Sequence, residues 1–103
     1  MAETVVPFSG GLSRATAERL IRSLAADTGN GAWSAHFIEN MAEREVSMRQ
    51  VLTTLREGRV VSGPVRDEFG DWRCTVRKRC AGQRVTVIVA IQGRERLIGV
   101  TTY

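Results

Sequence analysis

Apolar residues recur at helical spacing through the first half of the chain and at every second position through the last third. Ala17, Leu20, Ile21 and Leu24 form one stripe, with Arg14, Glu18 and Arg22 away from it, and Ser13 stands where a helix running to about Ala26 needs an N-cap. Asp27-Thr28-Gly29-Asn30-Gly31 has the composition of a loop, and Trp33-Ser34 leads into a second helix from His36 to about Arg44, with Phe37, Ile38 and Met41 as its buried side. Ser47 followed by Gln50 is a capping box, and Met48, Val51, Leu52 and Leu55 follow at helical spacing until Gly58 ends a third helix.

After Gly58 the period becomes two. Arg59 to Val65 reads as a strand, residues 67–71 as a turn, and Trp72 to Cys80 as a strand with Trp72, Cys74 and Val76 on one face and Arg73, Thr75, Arg77 and Arg79 on the other. Ala81-Gly82-Gln83 makes a tight connection to a central strand, Arg84 to Ile91, and residues 92–95 turn into a last strand, Arg96 to Tyr103. Thr4 to Phe8 is a further short β-prone segment. Helices first and hairpin-linked strands afterwards imply an α+β domain: two to three helices on one face of a four-stranded antiparallel meander. With no internal repeat or linker, residues 1–103 form a single domain, long enough to hold a hydrophobic core without disulfide or metal staples.

Charge sharpens this picture. Residues 1–71 hold eight arginines and ten acids, whereas residues 72–103 hold seven basic residues and one acid, Glu95. Fourteen of the fifteen basic residues are arginine, whose planar fork matches phosphate oxygens. RNA or another nucleic acid is the natural partner; an acidic protein docked on the same basic face, or on an exposed sheet edge at Arg59 to Val65, is the alternative. No apolar run approaches the length of a spanning helix, and Met1 to Gly11 lacks the charge pattern of a secretory signal, so no membrane association and a cytoplasmic location are expected. Cys74 and Cys80 share a strand face about 20 Å apart, too far to bridge, and read as reduced core thiols. Two cysteines and the lone His36 do not make a zinc set, so neither metal nor cofactor is expected.

The segment His36-Phe37-Ile38-Glu39-Asn40-Met41-Ala42-Glu43-Arg44-Glu45-Val46-Ser47 resembles the pattern His-Ala-x-x-Arg-Met-x-x-Arg-Gly-Ile-Ser that heads the domain-of-unknown-function family 4258. The Leu12-Ser13 helix, the Trp33-Ser34-x-His36 approach and the ending Leu97-Ile98-Gly99-Val100-Thr101-Thr102-Tyr103 are similar to that family as well, so the likeness covers nearly the whole chain. Asn40 departs from the family's usual arginine, removing a cation, and Glu45 from its glycine. The family's layout is similar to that of the RelE and BrnT type toxins, small ribonucleases that cut RNA without a metal on an open sheet face; the resemblance therefore implies a toxin-like fold and a ribonuclease as one reading of function.

Such cleavage needs a proton acceptor, a proton donor and cations at the phosphate. His36 fits either proton role, and with Asn40, Glu43 and Arg44 it falls on one helix stripe, where Arg44 could hold a phosphate. The structural alternative is that His36 pins the helix start and Arg44 pairs with Glu43, Glu45 or a sheet carboxylate. Arg73, Thr75, Arg77 and Arg79 form a ladder able to follow a phosphate backbone. Tyr103 shares its face with Thr101, Gly99 and Leu97 on this reading, and either stacks on a base, handles a proton or closes the core. Trp33 and Trp72 each flank an apolar segment and read as core or boundary residues.

Overall fold

Three serines start the three helices. In the computed structural model, which describes residues 11–80 and 82–103, Ser13, Ser34 and Ser47 cap α1 (Arg14–Ala25), α2 (Ala35–Arg44) and α3 (Met48–Glu57), each accepting a backbone N–H three residues on. At α3 the box is complete: Gln50 N donates to Ser47 Oγ at 3.1 Å and Ser47 N donates to Gln50 Oε1 at 2.9 Å. The caps satisfy N–H groups that a helix start otherwise leaves unpaired.

The strands are β1 (Gly31–Trp33), β2 (Arg59–Arg66), β3 (Trp72–Cys80), β4 (Gln83–Gln92) and β5 (Arg96–Thr102), in the order β1-β5-β4-β3-β2. The class is α+β and the run β2 to β5 is the antiparallel meander, but the sheet has five strands rather than four. β1, inside the expected loop and helix approach, pairs in parallel with β5 from Gly31↔Leu97 to Trp33↔Gly99. Three residues are too few to show a period, and their partner lies at the far end of the chain. The β-prone segment Thr4 to Phe8 and residue Ala81 of the expected tight connection lie outside the described residues.

One core lies between the helices and one sheet face. Ala17, Ile21 and Leu24 of α1, Phe37 and Met41 of α2, and Val51 and Leu55 of α3 pack on Val60, Cys74, Val76, Val85, Val87, Val89, Ile91 and Leu97. Ile38, expected inside, is 46% exposed: it follows Phe37 around the helix and falls past the buried stripe. Trp33 and Phe37 stack at 5.3 Å over Gly99, and both tryptophans are half-buried against the core, as boundary residues. Among the described residues no helix is long and apolar enough to cross a membrane.

Cys74 and Cys80 are free and buried. Burial pushes the Cys74 thiol up to about 11, against a smaller opposing effect of Arg14. The folded chain therefore holds this proton after the unfolded chain has released it, so the contribution to stability is complete below about pH 8.5 and is lost as pH rises toward 11. The urea midpoint is expected to fall across that window, with a shallower fall in Cys74→Ala; parallel pH profiles would show that Cys74 contributes nothing to the slope.

Both rims of the sheet are held by helix side chains. Arg14, Glu18 and Arg22, expected merely to lie away from the core, line up along β2: Val60 N donates to Glu18 Oε1 at 2.9 Å, Arg22 Nη2 donates to Gly58 O at 2.9 Å, and Arg14 Nε donates to Gly63 O at 3.0 Å. Two backbone groups of the edge expected to be open for a partner between Arg59 and Val65, Val60 N and Gly63 O, are thus bonded to α1, while Val61 and Val65 stay exposed. At the opposite rim, Thr102 N donates to Asn40 Oδ1 at 2.7 Å, just past the residues of β5 that β1 covers.

Candidate nucleic-acid interface

The face of the sheet turned away from the helices is where the arginines collect. Along β3 the alternation is as read from the sequence: Cys74, Val76 and Cys80 are buried, while Arg73, Thr75, Arg77 and Arg79 point to the other side. Cross-strand register then fixes their neighbours, because directly opposed residues share a face. Arg77 lies between Arg59 on β2 and Thr86 on β4, Arg79 lies opposite Arg84, Thr75 opposite Ile88, and Arg73 opposite Ala90.

Two of these neighbours, Arg59 and Arg84, were not singled out from the sequence. The signal that could have found them is the hairpin register, which places Arg84 across from Arg79 once the turn is only a few residues long. The strands carry eight basic residues and no aspartate or glutamate. Arg59↔Arg77 and Arg79↔Arg84 are therefore like charges set directly opposite each other, an unfavourable arrangement in the free protein. Arg77 is steadied by donating from Nε to Thr86 Oγ1 at 3.1 Å, which leaves its terminal fork free to turn outward, and Arg79 Nη1 donates to Gly82 O at 3.2 Å. Arg73 has an anionic neighbour in Asp67, at 3.9 Å. Lys78, on the helix-facing side, pairs with Glu57 at 3.7 Å.

Tyr103 joins this face with one of the three companions the sequence suggested, Thr101, and without the other two. Leu97 and Gly99 face the core opposite Ile91 and Val89, whereas Thr101 lies opposite Ile88 on the arginine side. The register shift leaves Val100 as an extra residue, a β-bulge, and every residue beyond it changes parity. Thr102 turns inward and is fully buried, and Tyr103 turns outward, 48% exposed, with its backbone bonded to Thr86 in both directions at 2.7 and 2.8 Å. Arg59, Arg77, Thr86 and Tyr103 consequently form one row across β2, β3, β4 and the residue just past β5.

The α2 stripe stands at the β5 rim rather than on this face. Asn40 is its structural member, through Thr102 N; His36, Glu43 and Arg44 are exposed, and among the described residues none makes a hydrogen bond or ion pair. His36 thus does not pin the helix start, which is Ser34's role, and Arg44 does not pair with Glu43, Glu45 or a sheet carboxylate. One helical turn, about 5 Å, separates Asn40 from His36 on one side and from Arg44 on the other. No hydrogen bond joins His36 or Arg44 to Tyr103 or to the arginine ladder, and among the described residues no three His, Cys, Asp or Glu side chains converge as a metal site would.

Glu45 ends α2 in a left-handed conformation, φ 57° and ψ 43°. Glu45 N donates to Ala42 O and Val46 N to Met41 O at 2.9 Å, the paired bonds of a Schellman motif, with Met41 and Val46 buried together. A glycine adopts that backbone without strain, so Glu45→Gly is expected to stabilise the protein by about 1 kcal/mol. Thermal denaturation checks this; a lower Tm would mean that the glutamate makes compensating contacts.

A family model described as "Domain of unknown function (DUF4258)" matches residues 33–103, which hold α2, α3, all of the meander and every residue of the arginine face. No curated protein matches the chain.

Proposed function

Since the chain belongs to the DUF4258 family, whose description assigns no activity, its role has to be read from its own surface, and we propose that it binds RNA on the open face of its sheet. The observation that carries this reading is the pair of opposed arginines, Arg59↔Arg77 and Arg79↔Arg84, on strands without a single acid. A phosphate seated between two such guanidiniums turns repulsion into two charge-assisted interactions. The hydroxyls of Thr75 and Tyr103 stand among the cations, and a hydroxyl can accept from a ribose 2′-hydroxyl, which DNA lacks. The test is fluorescence anisotropy with a labelled RNA across a salt series. Log affinity should fall linearly with log salt concentration. Absence of RNA binding beside salt-dependent capture of an acidic protein would replace this reading with protein docking.

Cleavage is the second reading, favoured by the exposed, unpaired His36 and Arg44 at the rim that ends in Tyr103. His36 and Tyr103 would handle protons there, with Arg44, Arg73 and Arg77 at the phosphate. Incubation with total RNA in EDTA, beside a folded His36→Ala variant, decides it: products made only by the wild type support cleavage, and intact RNA in both leaves binding alone.

A further inference from the structure

We propose that the RNA recognised by this face is single-stranded, with one base stacked on Tyr103 while its phosphate is held between Arg59 and Arg77. This rests on the RNA-binding reading and narrows it to a class of substrate.

The row itself supplies the argument. Arg77 on β3 and Tyr103, one residue past β5 and paired with Thr86 of β4, stand two strand spacings apart, or about 10 Å, which is the reach of a nucleotide from its phosphate to the far edge of its base. Thr86 lies between them in the row; it is small, and the Arg77 side chain leans toward it through the Nε–Oγ1 bond, so no third large side chain of that row separates the two groups. The Arg77 guanidinium is held by Thr86 Oγ1 on the cationic side of this saddle, and the Tyr103 ring bounds the other side with about half of its surface open.

An aromatic ring placed this way is of use only to a base whose own face is free. In a duplex every base face is covered by its neighbours, and a flat cationic surface meets phosphates alone. In a single strand the base can swing onto the ring, and every base has a π-face, so the contact tolerates any sequence. The bulge at Val100 is the device that brings the ring to the cations: without the extra residue Tyr103 would point into the core, as the regular alternation of β5 implied.

The experiment compares a short fluorescein-labelled single-stranded RNA of mixed sequence with the same strand annealed to its complement, bound to wild type, Tyr103→Ala and Tyr103→Phe. Tyr103 pairs with Thr86 through its backbone, so alanine leaves the ladder intact, which circular dichroism checks. Wild type should prefer the single strand. Tyr103→Ala should weaken single-strand binding about fivefold or more, leaving duplex binding unchanged, and Tyr103→Phe should retain wild-type affinity because the ring is kept. Equal affinity for both forms, or a Tyr103→Ala effect that is absent or equal on both, overturns this inference and leaves RNA binding standing. No salt-dependent binding to either form overturns the RNA-binding reading and this one together.

Discussion

An Arg59→Glu, Arg84→Glu variant will bind RNA at least about a hundredfold more weakly than the wild type and will at the same time be more stable. The two effects come from one cause. Each substitution places a carboxylate directly opposite a guanidinium, Arg77 in one pair and Arg79 in the other, so each unfavourable pair becomes an attractive one worth some 0.2–1 kcal/mol. Each also neutralises a second cation, so up to four phosphate contacts disappear and the slope of log affinity against log salt flattens by up to about 3 for a single strand. Arg59 and Arg84 are the right members of the pairs to change: among the described residues neither side chain makes a hydrogen bond, whereas those of Arg77 and Arg79 are anchored to Thr86 and Gly82. Urea denaturation and the salt-titrated RNA assay are run on the same sample. Unchanged affinity would remove the phosphate seats from the proposal, and a loss of stability would mean that the arginine pairs are not in conflict.

The second large effect is structural. Gly58→Ala is expected to cost more than about 3 kcal/mol, a fall in Tm on the order of 12–20 °C. Backbone freedom is not the reason, since φ −79° and ψ −176° suit any residue. Space is: a Cβ on Gly58 would lie 2.5 Å from Thr54 O and 2.8 Å from Arg77 O. Both are backbone atoms, of α3 and β3, that cannot rotate aside, and the Gly58 carbonyl also accepts from Arg22. At Gly99, by contrast, the atoms nearest to a Cβ would be side-chain ring atoms of Trp33 and Phe37, at 2.6 and 3.0 Å, and Trp33 is half-exposed and able to slide. Gly99→Ala should therefore cost less, about 1–3 kcal/mol. Thermal scans of the two variants decide the order; a milder Gly58→Ala would mean that α3 and β3 can part at that point.

Much of this fold was legible because local signals and core pattern agree in it. Serine caps, the Ser47–Gln50 box and Gly58 mark the helices, and the alternation of β3 divided Cys74 and Val76 from Arg73 and Arg77 without any tertiary knowledge. What escaped depends on partners distant in sequence. β1 is too short to carry a period and exists because β5 offers it an edge. Arg14, Glu18 and Arg22 look like a solvated helix face, and only the proximity of β2 reveals that they hold its backbone. The Val100 bulge left no mark in a segment whose residues suit either parity, so Tyr103 was grouped with Leu97 and Gly99 as well as with Thr101, although its candidacy was visible. Asn40 read as a missing cation; in the fold it is the group that holds Thr102 N.

The side chains along the two rims have one more consequence, for behaviour in concentrated solution. Strands add to a sheet by offering bare N–H and C=O groups to another chain, and aggregates grow by repeating that step. Here the carboxylate of Glu18 and the amide of Asn40 have taken the places an incoming strand would use. Along those stretches an incoming strand meets side chains in place of bare backbone, which blunts growth of a filament on a sheet whose central apolar strand β4 runs seven residues with only Thr86 interrupting it.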